Sequence, residues 1–246
     1  MTETTSEAGP TAPRHLIAVH GNFASSAWWD DLRAEPPHGW TIHTPDLPGF
    51  AGTERGGEVS IARYADWLAR YVADRKLERP VLLGHSLGGA VVLETVSRST
   101  DAYAGLVLAA SAPLGGLVTP EENYPVLELL PGNASLLELS LEALFPSGRP
   151  ANFGQLLADA ARMAPELYSG NARALAEWRV DPETVTGLPV LVMGGELDLL
   201  ITPDMVRAQG DALGVPVRIL AGLGHGFPQE DPGAFLAELQ TFLERL

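Results

Sequence analysis

The sequence contains no cysteine and comparatively few basic residues. Without cysteine, the chain forms no disulfide, no thiolate metal site and no cysteine nucleophile. It carries 16 lysines and arginines against 31 aspartates and glutamates, which gives a net charge of −15 at pH 7. Nucleic acids and anionic membrane surfaces are bound by basic faces. The charge balance therefore argues against both as partners.

Long hydrophobic runs are also missing. No apolar stretch reaches the length that spans a bilayer. The start, MTETTSEAGPTAP, is polar and acidic, whereas a secretion signal is basic and then apolar. We therefore expect a cytoplasmic protein with a disordered N-terminal tail over residues 1–13. The length of 246 residues suits one large domain or one domain with an insertion; the oligomeric state stays open between monomer and homodimer.

Short apolar runs alternate with helical patterns along the chain. Because these runs are continuously apolar, they predict strands that are buried on both faces. The runs are HLIAVH (15–20), WTIHTP (40–45), PVLLG (80–84), GLVLAAS (105–111), PVLVMGG (189–195) and PVRILAG (216–222). The βαβ alternation predicts an α/β fold with a mostly parallel sheet and helices on both faces.

The alternation is interrupted once, between Ser111 and Pro189. That stretch contains leucine-rich helical patterns, and structureless loops of this length are rare. We therefore predict a helical cap over residues 112–185, inserted into a core formed by 14–111 and 186–246. Two later helices have clear starts, since Thr202 and Asp231 are good N-caps and each is followed by proline.

One serine lies among glycines between a predicted strand and a predicted helix. Gly84-His85-Ser86-Leu87-Gly88 matches the G-x-S-x-G pattern in the strand-turn-helix context that this pattern requires. Gly84 and Gly88 remove the Cβ atoms that would clash in so sharp a turn. Ser86 is thus predicted to be a nucleophile on a strained tip. The alternative is an ordinary tight turn in which the serine is incidental.

A serine hydroxyl needs a base to take its proton. His225 is the best candidate, because it follows the last predicted strand in a glycine-rich loop. The alternative for His225 is an ordinary surface histidine. The remaining histidines lie in or beside strands, in a polar loop or next to the serine: His15, His20, His38, His43 and His85. None has metal-ligand spacing, so we expect no metal and no cofactor.

The base in turn needs an acid that fixes its tautomer. Asp198 follows the fifth strand and gives the chain order Ser, Asp, His that this motif demands. Glu196 is the rival, two residues earlier. Asp46 also ends a strand, but it is better explained as bracing its turn.

Acyl transfer further requires N–H donors directed at the oxyanion. We predict the backbone N–H groups of Leu87, directly after the nucleophile, and of Asn22, in the loop after the first strand. Phe23 is the fallback for the second donor. The tryptophans that follow, Trp28 and Trp29, are predicted to be core residues at a helix start.

Taken in order, HGNF, DLPGF, GHSLGG, GGELD and GLGH resemble the α/β-hydrolase superfamily from about residue 15 to the end. The chain is similar to the methylesterase and hydroxynitrile-lyase group and to related bacterial esterases. This resemblance implies six parallel strands without N-terminal antiparallel ones. One departure is Ala51-Gly52-Thr53, where the family often has G-x-S, so the role of that loop stays open. Serine at position 86 instead of aspartate argues against dehalogenases and epoxide hydrolases.

The leading hypothesis is a serine carboxylesterase for small to medium uncharged esters, acting through an acyl-enzyme. A lyase of the similar group is a second hypothesis, but Gly21 and Gly226 stand where those lyases carry threonine and lysine. A non-catalytic receptor is a third. Lactonase, thioesterase, peptidase and perhydrolase activities need the same residues. Some of the following apolar cap residues are expected to line the substrate pocket: Leu127, Leu130, Leu137, Leu141, Phe145, Leu156 and Met163.

Overall fold

The protein is described here by a computed structural model that covers residues 14–246, so the predicted tail over 1–13 lies outside the described residues. Six strands form one sheet in the order β2-β1-β3-β4-β5-β6, and every neighbouring pair is parallel. The strands are β1 Arg14–Val19, β2 Trp40–His43, β3 Val81–His85, β4 Gly105–Ala109, β5 Val190–Gly195 and β6 Val217–Leu220. The predicted α/β fold with a six-stranded parallel sheet is confirmed.

Several strands end earlier than the apolar runs suggested. β2 stops at His43, two residues before Pro45, whose ring nitrogen has no proton to donate to a neighbouring strand. β4 stops at Ala109 because Ala110 takes a left-handed conformation, with φ of 43°. The apolar pattern therefore locates each strand, while backbone geometry sets where it ends.

Ten α-helices accompany the sheet within the described residues. They are α1 Asp30–Ala34, α2 Ile61–Asp74, α3 Leu87–Ser97, α4 Tyr124–Leu129, α5 Ala134–Glu142, α6 Phe153–Ala160, α7 Leu167–Glu177, α8 Pro203–Leu213, α9 Phe227–Glu230 and α10 Pro232–Leu243. The predicted caps are present: Thr202 accepts a hydrogen bond from the N–H of Met205, and Asp231 accepts one from Ala234. Each such cap stabilises a helix by about 1 kcal/mol.

Four helices, α4 to α7, lie between β4 and β5, as the leucine-rich patterns indicated. Short loops connect them, and α7 ends shortly before a single 3₁₀ turn at Pro182–Val185 that leads back into the sheet. The boundaries of a separate cap over 112–185 stay a prediction.

Within residues 14–246, no helix is both long enough and apolar enough to cross a membrane.

The strand order places a crevice at a defined point of the sheet. From β1 the chain moves outward to β2 on one side, and from β3 it moves outward through β4, β5 and β6 on the other. Loops that leave neighbouring strands in opposite directions open a crevice at the carboxyl ends of those strands. Here those strands are β1 and β3, and they are followed by Asn22 and Ser86. The topology thus brings together two segments that the motif analysis selected independently.

Candidate active site

Ser86 lies between β3 and α3 in a strained backbone conformation. Its φ of 53° and ψ of −116° lie in a region that side chains with a Cβ atom rarely adopt. Such strain costs about 1–3 kcal/mol and persists only where surrounding contacts enforce it. Here the N–H of Ser86 donates to the carbonyl of Ala109 at 3.1 Å, and its own carbonyl accepts from Gly89 and Ala112. The residue is 8% exposed.

The glycines around Ser86 are required by close backbone approach. A Cβ atom on Gly84 would overlap the carbonyl of Gly88 one turn into the helix. A Cβ atom on Gly88 would overlap the carbonyls of Val19 and His20 at the end of β1. The sharp turn that the motif predicts is therefore present, and it packs α3 directly against the first strand.

Asp198 and His225 form a buried hydrogen-bonded pair. The Nδ1 atom of His225 lies 2.7 Å from Oδ2 of Asp198, and the two residues are 4% and 2% exposed. The other carboxylate oxygen accepts N–H bonds from Leu200 at 2.8 Å and Ile201 at 2.9 Å. Because a carboxylate only accepts, a neutral His225 carries its proton on Nδ1. Its Nε2 is then free to take a proton.

The two rival carboxylates face other partners. Glu196 is exposed, and its Oε2 accepts the N–H of Gly222 at 2.8 Å. Asp46 accepts the N–H of Ser26 at 2.6 Å, and so it braces the loop after β1. Neither contact involves His225, so the geometry favours Asp198 as the partner of the imidazole.

The loop that carries His225 is held by a neighbouring histidine. Nε2 of His85 lies 2.8 Å from the carbonyl oxygen of His225, and since that oxygen only accepts, the imidazole donates. The same loop packs against the segment after α5: the N–H of Gly226 donates to Leu144 at 2.8 Å, and a Cβ on Gly226 would overlap the ring of Phe145. His85 therefore supports the loop that carries His225. The sequence did not indicate this contact between the two histidines.

The loop after β1 closes tightly over Ser86. A Cβ atom on Gly21 would lie 2.8 Å from Nδ1 of His85 and 3.0 Å from Cβ of Ser86, so only glycine fits without displacement. Phe23 adopts a left-handed φ of 56°. Leu87 is the first residue of α3, where N–H groups have no partner within the helix. The loop that carries Asn22 therefore approaches Ser86 closely at Gly21, and Leu87 follows Ser86 directly in the chain.

A cleft of about 320 Å³ is lined by Asn22, Ser86 and His225 together with neighbouring residues. Its wall is mainly apolar, and the described residues that line it include no arginine, lysine, aspartate or glutamate. The lining residues are Asn22, Phe23, Ser86, Leu117, Thr119, Asn123, Val126, Leu127, Ser140, Leu144, Ala172, Leu175, Leu200 and His225. Ser86 and His225 thus face the same apolar space. Two larger hollows elsewhere, of about 600 and 560 Å³, are lined by none of the predicted site residues.

Most of the apolar cap residues proposed from the sequence are used for packing. Of the seven, Leu127 lines the cleft. The others are buried in the hydrophobic core: Leu130, Leu137, Leu141, Phe145, Leu156 and Met163. Trp28 and Trp29 are also core residues, as predicted. The loop over Ala51-Gly52-Thr53 is tied by the Thr53 hydroxyl, which lies 2.9 Å from the carbonyl oxygen of Leu47 and 2.8 Å from that of Phe50 and can donate to either.

An additional polar chain reaches the site from α7. Asn171 donates from Nδ2 to Oδ1 of Asn22 at 2.9 Å, and the hydroxyl of Tyr64 donates to Oδ1 of Asn171 at 2.9 Å. Asn171 was not among the site residues predicted from the sequence. A signal was present, because this polar residue lies four positions after Leu167 and four before Leu175, both of which are buried.

Within residues 14–246, no cluster of three or more potential metal ligands is present.

Two buried histidines predict how stability depends on pH. Burial lowers the pKa of His20 from its ordinary value of 6.5, and burial beside His225 lowers the pKa of His85 well below that value. As pH falls below 6.5, the unfolded chain therefore binds protons that the folded protein excludes. The free energy of unfolding should be greatest above pH 6.5 and should decline as pH falls.

Urea unfolding between pH 8 and pH 5 checks this expectation. His20→Gln removes one of the excluded imidazoles and should flatten the decline, whereas His38→Gln, at an exposed position, should leave it unchanged. A free energy of unfolding that stays constant from pH 7 to pH 5 in the unaltered protein would contradict the prediction.

The chain belongs to the alpha/beta hydrolase family, whose family model matches residues 16–239. The superfamily resemblance that the motifs indicated is thereby confirmed. Among curated relatives, a pimeloyl-[acyl-carrier protein] methyl ester esterase of Neisseria meningitidis is 28% identical over 215 residues, which covers 80% of this chain and 79% of that protein.

Solved structures show the same fold. A thermophilic esterase from Thermogutta terrifontis has a TM-score of 0.83 and 23% identity, covering 94% of this chain and 90% of that one. A bromoperoxidase from Bacillus anthracis has a TM-score of 0.83 and 17% identity, covering 95% and 92%. Since proteins with different activities share this fold, the reaction has to be argued from the site itself.

Proposed function

We propose that the protein is a serine esterase that cleaves small to medium uncharged carboxylic esters through an acyl-enzyme. One observation carries the proposal: a strained Ser86 lines the same apolar cleft as His225, whose Nδ1 is hydrogen-bonded to the buried Asp198. A strained serine and an imidazole oriented by a carboxylate are the components of nucleophilic acyl transfer. The esterase relative supports the choice of an ester as substrate.

In this mechanism, Oγ of Ser86 attacks the acyl carbon while Nε2 of His225 takes the hydroxyl proton. The tetrahedral intermediate collapses, the bond to the leaving alcohol breaks, and His225 returns the proton to that alcohol. Water then attacks the acyl-enzyme with His225 again as base, which releases the acid and restores Ser86. Asp198 holds the imidazole in the Nδ1-protonated tautomer and stabilises the imidazolium.

The negative oxygen of each intermediate requires two donors that are oriented before reaction. We assign the N–H groups of Leu87 and Asn22 to this role. Leu87 is suited because it opens α3, where the unpaired N–H groups and the helix dipole both favour negative charge. Asn22 is suited because its loop approaches Ser86 closely at Gly21. Removal of one such donor typically costs about 10²–10³-fold in kcat.

A lyase reaction is less well supported by the same geometry. The positions at which the similar lyases carry threonine and lysine are glycines, and side chains there would meet His85 and Phe145. No cationic side chain among the described lining residues is available to stabilise a leaving cyanide. A receptor without turnover would use the same residues, and so would hydrolysis of lactones, thioesters or peptide amides and perhydrolysis, in which hydrogen peroxide takes the place of water. A screen across ester, lactone, thioester and amide substrates separates them, and we expect esters to be turned over best.

Charge selectivity tests the character of the cleft. Because no lysine or arginine is among the described residues that line the cleft, an anionic acyl group would lose hydration without gaining the charge of a lysine or arginine as a partner. We expect kcat/KM for an anionic aryl ester to be at least about tenfold below that for an uncharged ester of matched size, equivalent to about 1.4 kcal/mol. A series of acyl chain lengths should show a maximum at short to medium length, since the cleft holds about 320 Å³. Equal or higher kcat/KM for the anionic ester would overturn this assignment.

A further inference from the structure

A buried amide connects α7 and α2 to the loop after β1. Asn171 on α7 is 0% exposed, and both ends of its side-chain amide are bonded. Nδ2 donates to Oδ1 of Asn22, and Oδ1 accepts from the hydroxyl of Tyr64 on α2, each at 2.9 Å. Asn22 is the residue whose backbone N–H we assign to the oxyanion.

The loop that contains Asn22 needs an external support. On one side Gly21 is pressed against His85 and Ser86, and on the other Phe23 takes a left-handed φ of 56°. The peptide that bears the Asn22 N–H follows Gly21, and a glycine restricts its own backbone dihedral angles very little. The hydrogen bond from Asn171 holds the side chain of Asn22 and thereby restricts the peptide that bears the N–H.

Tyr64 fixes the orientation of the Asn171 amide. Its hydroxyl is buried, and burial raises the pKa of Tyr64, so it remains a donor at every pH used for assays. In the structure the hydroxyl donates to the oxygen of Asn171, and with the oxygen on that side the NH₂ group is directed toward Asn22. Tyr64 therefore orients Asn171, and Asn171 in turn holds Asn22. The positions of these three residues in the sequence do not indicate that they are hydrogen-bonded to one another.

We propose that Asn171 is a positioning residue that aligns the Asn22 N–H with the oxyanion, with Tyr64 as its support. This inference rests on the proposed esterase mechanism. The aligned donor acts on charge that develops in the transition state. Loss of the alignment should therefore lower kcat more than it raises KM.

Steady-state kinetics of Asn171→Ala on an uncharged aryl ester tests the proposal. We expect kcat to fall by about 10- to 100-fold, somewhat less than for removal of a donor, with KM changed less than about threefold. Tyr64→Phe keeps the ring and should give a smaller fall in kcat. Binding of a trifluoromethyl ketone, whose adduct places an oxygen at the oxyanion position, should weaken in Asn171→Ala in proportion to kcat.

Asn22→Ala supplies a second variant in case Asn171→Ala does not fold. It removes the same hydrogen bond from the other end but keeps the backbone N–H. Its kcat should fall by a similar factor, and the double variant should fall no further, because both substitutions break one contact. The matched control is Asn152→Ala, which removes a different hydrogen bond, to the carbonyl of Ala27 at 3.0 Å, and should lower stability without lowering kcat.

The results of these experiments separate failure of the positioning role of Asn171 from failure of the proposed esterase mechanism. If folded Asn171→Ala and Asn22→Ala both keep kcat within about twofold while Ser86→Ala is inactive, the positioning role is wrong and the esterase mechanism stands. Equal loss in Asn152→Ala, or strictly additive losses in the double variant, would also overturn the role. If Ser86→Ala retains full activity, both the mechanism and the positioning role are wrong.

Discussion

Replacing Ser86 with alanine should lower kcat by about 10⁴-fold or more, because the acyl-enzyme would have no oxygen on which to form. The folded structure should persist. Alanine keeps the Cβ atom and adds no volume, and the strained turn is held by backbone hydrogen bonds to Ala109, Gly89 and Ala112 that do not involve the side chain. The measurement is steady-state kinetics on an uncharged aryl ester, together with thermal unfolding of the variant.

Ser97 provides the matched control for this experiment. It lies at the opposite end of the same helix, and its hydroxyl donates to the carbonyl of Glu94 at 3.0 Å. Ser97→Ala should leave kcat unchanged within about twofold. Full activity in a folded Ser86→Ala variant would rule out Ser86 as the nucleophile, whatever the behaviour of the control.

Replacing Asp198 with asparagine should lower kcat by about 10⁴-fold while keeping the fold. The oxygen of asparagine can still accept the N–H bonds of Leu200 and Ile201. Its NH₂ group would then face Nδ1 of His225, so the imidazole would accept there and carry its proton on Nε2. In that tautomer His225 cannot take the proton of Ser86.

Glu196→Gln is the matched control, because it makes the same carboxylate-to-amide change two residues away. Glutamine can still accept the N–H of Gly222, and the side chain is exposed. We expect less than about a threefold change in kcat, measured with the same substrate. A large loss in Glu196→Gln combined with a mild effect of Asp198→Asn would reverse the assignment of the acid.

The sheet could be predicted from the sequence because its strands are continuously apolar. Buried strands such as VLLG and GLVLA need little beyond their own residues to be recognised. The strand ends were predicted less accurately, since the left-handed conformation of Ala110 that ends β4 leaves no trace in residue type. The turn at Gly84 and Gly88 was predictable because only glycine permits such close backbone contact.

The substrate cleft was harder to predict than the reactive residues. Leucine has the same apolar character whether it packs a cap onto a core or lines a pocket, so Leu127 could not be told from Leu137 or Leu141. The support from Asn171 depends on α7 lying against the loop after β1, a contact between residues 149 positions apart. The spacing of apolar residues can indicate that position 171 is buried, but only the tertiary arrangement determines which polar residue it contacts.

The central claim is that Ser86 is an activated nucleophile, and covalent labelling tests it most directly. A fluorophosphonate reacts with a serine that has an oriented base beside it. Peptide mass spectrometry of the labelled protein should place one adduct on Ser86. Labelling should be abolished in Ser86→Ala and strongly slowed in Asp198→Asn. An adduct on another residue, or an unreactive Ser86 in the folded protein, would contradict the account.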